Sequence, residues 1–228
     1  MKKRIAVIAA HPDDEVLGCG GTIARFVKEG HSVHILLIAD GESSRVEGDQ
    51  SGVPDLLEGR NEAAETACRI LGCASVKILN LPDNRLDGLD RLDIIKKIED
   101  FIEHYRPSTV ITHHSGDVNI DHCIVHDAVI AACRPQPNHP VKELLFFEIP
   151  SSTEWRPPSS AEVFNPNLFV DISTTIDIKI KALNAYETEL RDFPHPRSLK
   201  AVETLAQWRG STVGVEAAEA YILGRKIV

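Results

Sequence analysis

Nowhere in this 228-residue chain does an apolar run approach the roughly 20 residues that a bilayer-spanning helix requires. Cations are not in excess either: 25 Lys and Arg stand against 34 Asp and Glu, a formal charge of −9. That balance argues against a nucleic-acid or anionic-membrane surface, which needs a basic stripe. Five cysteines, at 19, 68, 73, 123 and 133, are an odd number without a tight CxxC pair. They read as reduced, small hydrophobes of a cytoplasmic protein rather than a disulfide framework. Internal repeats, low-complexity tracts and linkers are missing as well, so a single domain over residues 1–228 is expected. Met1-Lys2-Lys3-Arg4 has the charge of a signal peptide's start. The apolar stretch behind it, residues 5–10, stops too soon at His11-Pro12-Asp13-Asp14 and is expected to be a first core strand.

What is present is an alternation. Strand-like runs at 4–9, 32–39, 76–79, 109–112 and 144–147 are separated by helical stretches at 22–28, 55–71, 92–105 and 122–133. Asp55 with Glu58 forms a capping box, and Gly72 suits the end of that helix. A polar, Gly-rich loop from Asp40 to Pro54 is long enough to act as a lid. Strands alternating with helices imply right-handed crossovers and a mostly parallel, Rossmann-like sheet flanked by helices, an α/β fold. After Pro150 the pattern loosens into a Pro-rich loop, a short strand at 168–171, and two helices flanking the turn 192–197.

Two clusters fall where parallel strands end, the edge at which open α/β sheets bind ligands. The first is Ala10-His11-Pro12-Asp13-Asp14-Glu15. Three carboxylates in three residues repel unless something positive joins them, and a metal ion is the obvious candidate. His11 and Asp14 make a sound first half of a Zn²⁺ site, with Asp13 placed between them to act on water. The blander alternative is an N-cap carboxylate beside an ordinary loop histidine. The second cluster, His113-His114-Ser115-Gly116-Asp117-Val118-Asn119-Ile120-Asp121-His122, follows the fourth strand. His122 can supply a third ligand, with Asp121 or a neighbour holding its other ring nitrogen. Three ligands describe a catalytic site and four a structural one. His122 and His126 are spaced like a helical two-histidine metal pair, but Cys123 stands where that motif needs Glu. Gly18-Cys19-Gly20-Gly21 with Asp40 mimics a dinucleotide fingerprint, the basis of a rival nucleotide-binding oxidoreductase. It fails because Ile23 replaces the third glycine and the preceding acids repel a pyrophosphate.

Taken together, AHPDDEVLGCGGTIARF and DVNIDHCIVHDAV resemble the PIG-L/LmbE family of metal-dependent N-deacetylases. The resemblance extends over the whole chain, through Arg60-Asn61-Glu62-Ala63-Ala64, Leu81-Pro82-Asp83 and Ala218-Glu219-Ala220-Tyr221. It implies a Rossmann-like fold, His11, Asp14 and His122 as zinc ligands, and Asp13 as general base. The bound ion is expected to be Zn²⁺ or another divalent metal such as Fe²⁺. Many members carry His where this chain has Asn119. Asn119 can donate to an oxyanion but cannot be a protonated acid, which leaves His114 or His195 as substitutes. Arg60, Asp83, His195 and Arg197 are candidate substrate contacts. The expected reaction is hydrolysis of an N-acetyl group from a small amino sugar or sugar conjugate, by a homo-oligomer. A hydrolase acting on another acyl donor would use the same residues, and a non-catalytic protein would close its metal site.

Overall fold

The computed structural model describes residues 2–45 and 53–228. Strands β1 (Arg4–Ala9), β2 (Ser32–Ala39), β3 (Ser75–Leu81), β4 (Thr109–His113), β5 (Glu143–Phe147), β6 (Leu168–Asp171) and β7 (Ala218–Lys226) form one sheet in the order β3-β2-β1-β4-β5-β7-β6. The first five run parallel; β7 is antiparallel to both β5 and β6. Helices α1 (Asp14–Lys28), α2 (Val53–Leu71), α3 (Arg91–Tyr105), α4 (Ile120–Ala132), α5 (Ile176–Leu183) and α6 (Leu199–Ser211) cover its faces.

The two faces follow from the period of two along each buried strand. Ile5, Val7 and Ala9 join Ile35 and Leu37 on the face covered by α1, α2 and α5. Ala6, Ile8 and Ala10 join Leu36 and Ile38 on the face covered by α3 and α4. No described helix is long and apolar enough to cross a membrane.

β1 pairs on one side with β2 and on the other with β4, as Ile5 opposite Val33 and Thr109 shows. The chain leaves β1 into α1 on one face and leaves β4 towards α4 on the other. That divergence opens a crevice at the carboxyl ends of the two central strands, the position where both sequence clusters fall.

Several expectations need correction. The first helix begins at Asp14, not after Gly21, so the glycine stretch lies inside α1 and is no phosphate-binding turn. Its glycines serve close packing: a Cβ on Gly18 would sit 2.6 Å from the Phe147 ring, and one on Gly21 would sit 2.7 Å from Ile172. Asp40 likewise caps its own loop, accepting from the backbone N–H groups of Glu42 and Ser43. Asp55 is inside the first turn of α2, which starts at Val53. Of the expected loop 40–54, residues 46–52 lie outside the described residues. Finally, residues 218–226 form a full strand, next to the sheet's edge, that the sequence pattern did not announce.

α1 is broken at Cys19 (φ −149°, ψ 21°). Two N–H groups beyond the break, on Gly21 and Thr22, donate to the Glu219 carboxylate of β7 at 3.0 and 2.7 Å. Lys179 of α5 neutralises that buried acid at 2.6 Å. The packing account makes opposite predictions for two helical glycines. Gly18→Ala should lose about 1–3 kcal/mol from overpacking against Phe147. Gly59→Ala, on α2 with nothing within 4 Å of the added Cβ, should gain about 0.5–1 kcal/mol from helix propensity. Urea unfolding of both variants reads the two signs.

Candidate active site

The turn leaving β1 is held by backbone and side-chain bonds that cross the sheet. Ala10 N–H donates to His113 Nε2 at 2.8 Å, and His11 N–H donates to Asp14 Oδ2 at 2.9 Å. Asp13 occupies the N-cap position of α1 at φ 116° but makes no side-chain capping bond, so the capping alternative does not describe it. A non-glycine residue there costs of order 1–3 kcal/mol and persists only where its surroundings over-determine it.

Asp14 is fully buried, and its Oδ2 lies 3.2 Å from His11 Nδ1, 3.3 Å from His122 Nε2 and 3.5 Å from His113 Nε2. One donor atom from each of His11, Asp14 and His122 falls within 4.8 Å of the other two. Among the described residues, Asp14 Oδ1 and the buried His122 Nε2 have no partner that meets hydrogen-bond geometry. Buried polar atoms are nearly always paired, so a carboxylate oxygen and an imidazole nitrogen left open within this group fit a cation-binding set. Burial alone would push the Asp14 carboxyl up, but His122, His11 and His113 pull it well below the usual range. Burial disfavours a charged His122, yet Asp14 and Asp117 raise its pKa to about 9. A divalent cation would displace such protons, so binding should weaken in acid.

The other nitrogen of each candidate histidine is also held. His122 Nδ1 is 3.2 Å from Asp117 Oδ2, and Asp117 in turn accepts from Ser152 Oγ, from Thr153 Oγ1 at 2.7 Å and from Asn119 N–H at 2.8 Å. His11 Nε2 lies 3.2 Å from Asp121 Oδ2 and 3.1 Å from Asp83 Oδ1. His11, Asp83 and Asp121 form a second close group. Asp121 already accepts from the N–H groups of Asn84 and Leu86, and Asp83 from Ser44 Oγ. These carboxylates orient the imidazole.

Asp121 therefore serves His11, and Asp117 takes the place beside His122 that sequence reasoning assigned to Asp121 or a neighbour. Successive residues in the first turn of α4 point about 100° apart, which turns the Asp121 carboxylate away from the ring of its neighbour His122. Asn119 caps α4: its Oδ1 accepts from the N–H groups of Asp121 (2.8 Å) and His122 (3.4 Å). Its amide nitrogen donates to Asn84 at 3.1 Å, which leaves one proton for the cavity it lines. His114 is excluded as an acid, because its Nε2 meets the Glu162 carbonyl at 2.9 Å, against Phe164.

A cavity of about 290 Å³ opens above His11 and Asp13. The four candidate substrate contacts, Arg60, Asp83, His195 and Arg197, all line it. Arg197, however, is turned onto Asp13, with its Nη1 2.9 Å from Oδ2. Arg60 forms an ion pair with Glu189 at 2.9 Å. His195 packs edge-on against Trp155 at the same cavity. Burial raises the Asp13 pKa to about 6, against the lowering pull of Arg197; Asp14 adds to the rise. Sequence reasoning missed Asp117, Glu189 and Trp155. Asp117 had a faint signal in its place two residues before the cap at Asn119; Glu189 had none.

Comparison with known proteins shows the family to which the chain belongs. The family model described as PIG-L, GlcNAc-PI de-N-acetylase, matches residues 6–133. Among curated proteins, the chain is 32% identical over 193 residues to the uncharacterised deacetylase YaiS of Escherichia coli, covering 82% of this chain and 92% of that one. It is 27% identical over 230 residues to diacetylchitobiose deacetylase of Thermococcus kodakarensis, covering 95% and 81%. Among solved structures, the conserved protein TT1542 of Thermus thermophilus superimposes with a TM-score of 0.76 at 27% identity, covering 99% of this chain and 96% of that one.

The carboxylate beside His122 yields a direct test. Asp117→Asn keeps hydrogen-bonding capacity and removes the charge, and should weaken divalent-cation binding about 10- to 100-fold. Competition against a chromophoric chelator measures it; unchanged affinity would detach Asp117 from the cation set.

Proposed function

Because this chain belongs to the PIG-L family, we propose that it is a metal-dependent deacetylase, one domain over residues 1–228, that hydrolyses the N-acetyl amide of an N-acetylglucosamine-type substrate. One observation carries this reading: Asp13, a buried carboxylate next to Asp14 in the chain, lines the same cavity as His11 and is not one of the His11–Asp14–His122 donor set. The name of the Thermococcus relative supports an N-acetylglucosamine unit as the group to be held. The cavity volume suits one sugar ring, with any conjugated group extending past Trp155.

In this proposal His11, Asp14 and His122 hold Zn²⁺ or another divalent ion such as Fe²⁺. When bound, the ion supplies a Lewis acid for the acyl oxygen and lowers the pKa of water. Asp13 removes a proton from the attacking water as the new C–O bond forms at the amide carbon. It then delivers that proton to the departing nitrogen as the C–N bond breaks, giving a free amine and acetic acid, which ionises to acetate by releasing its proton to solvent. Asn119 offers its remaining amide proton to charge developing on the acyl oxygen. Arg60, Asp83 and His195 present donors and acceptors to the sugar hydroxyls. Arg197 acts on Asp13 instead of on the sugar. Five free cysteines accord with a cytoplasmic location.

The test is acetate release from a panel of N-acetylglucosamine derivatives by native, chelated and zinc-restored enzyme. Activity should vanish on chelation and return with zinc. Asp13→Asn should lose about 10²–10⁴-fold in kcat while still binding one metal per chain. Near-native turnover by that variant would remove Asp13 from the chemistry. Silence across the panel with metal bound would move the enzyme to a different acyl donor.

A further inference from the structure

Asp13 is gripped at two points, and both grips lead back to one short stretch of chain. The 3₁₀ turn Asn184–Glu189 follows α5 and lies against α2. From its middle, the Tyr186 hydroxyl donates to Glu15 Oε1 at 2.6 Å, and Glu15 Oε2 accepts the Asp13 backbone N–H at 3.1 Å. From its end, Glu189 Oε2 lies 3.4 Å from Arg197 Nη1, the nitrogen that donates to Asp13 Oδ2 at 2.9 Å. The other Glu189 oxygen is 2.9 Å from Arg60 Nη1, and Arg197 Nε donates to Ser151 Oγ at 2.7 Å. Tyr186, Glu15 and Glu189 are all buried. A buried phenol and two buried acids need partners, and here those partners form two chains that meet on one residue.

We propose that Tyr186 and Glu189 are positioning residues for Asp13: Tyr186 fixes its strained backbone through Glu15, and Glu189 fixes its carboxylate through Arg197. This rests on Asp13 being the general base. Asp13 holds a positive φ of 116°, and neither grip alone restrains both its peptide and its carboxylate. Arg197 and Glu189 then form part of the base's mounting, which explains why a cavity-lining arginine points inward at an acid. Neither Tyr186 nor Glu189 is required to touch substrate.

The experiment compares Tyr186→Phe, Glu189→Gln, Arg197→Ala and Asp13→Asn with native enzyme for kcat, KM and zinc affinity. Tyr186→Phe and Glu189→Gln should each lower kcat about 10- to 100-fold, the scale of a slightly misplaced catalytic group. KM and zinc affinity should hold. Tyr186→Phe should add nothing on a Glu15→Gln background, since both cut the same chain. Added guanidinium should partly restore Arg197→Ala and leave Asp13→Asn inactive. A purely structural role would lower the unfolding midpoint while leaving kcat per folded molecule at the native value, and would overturn the proposal. So would loss of zinc affinity in Tyr186→Phe or Glu189→Gln. An active Asp13→Asn overturns the base assignment itself. An inactive Asp13→Asn beside native kcat in Tyr186→Phe and Glu189→Gln overturns only the positioning.

Discussion

A carboxylate with no access to water must be compensated, and Asp14 Oδ2 accepts the His11 N–H and lies against the rings of His11 and His122. An unpaired buried charge would cost several kcal/mol or more, enough to cancel much of a domain's stability. That constraint draws together His11 from the end of β1 and His122 from α4, while His113 at the end of β4 holds the β1 turn by accepting the Ala10 N–H. The stacking of His113 on His122, with ring centroids 4.0 Å apart, follows from the same convergence. Asp14 Oδ1 and His122 Nε2, neither with a hydrogen-bond partner among the described residues, are what the arrangement offers a cation.

Around that atom, short local motifs do the rough placement and distant residues the fine adjustment. His-Pro-Asp-Asp sets its polar groups within one turn, whereas their orientation depends on Asp117, Asp121, Asp83 and Arg197, supplied from elsewhere in the chain. Supporting contacts of this kind are how a site reaches working precision from a tight turn.

The same division explains what was legible in the sequence. Continuous apolar runs such as 32–39 and 109–112 marked central strands, because strands buried on both faces carry that pattern. Both donor clusters were visible because their chemistry is packed into consecutive residues. The start of α1 was hidden by Gly18, Gly20 and Gly21, whose low helix propensity masked a helix that packs too closely for side chains. β7 was hidden because AEAYILGRK alternates poorly, being buried at one end and exposed at the other. Nothing local in the sequence says that the guanidinium of Arg197, a candidate substrate contact, meets an acid 184 positions earlier. Asp117 was lost among neighbouring acids whose directions depend on the helix cap at Asn119.

The bond from Glu219 to the interrupted α1 also bears on how the protein is made. The N–H groups of Gly21 and Thr22, just beyond the break in the helix that bears Asp14, find their acceptor 198 and 197 residues later. The whole segment between them must leave the ribosome before that acceptor exists, and contacts of such separation form late. Until β7 docks, the N-terminal helix lacks those bonds and the sheet lacks the strand that joins β6 to β5. The helix that bears Asp14 therefore depends on a residue made 198 positions later, and a nascent chain already carrying His11, Asp14 and His122 lacks those bonds until β7 is made.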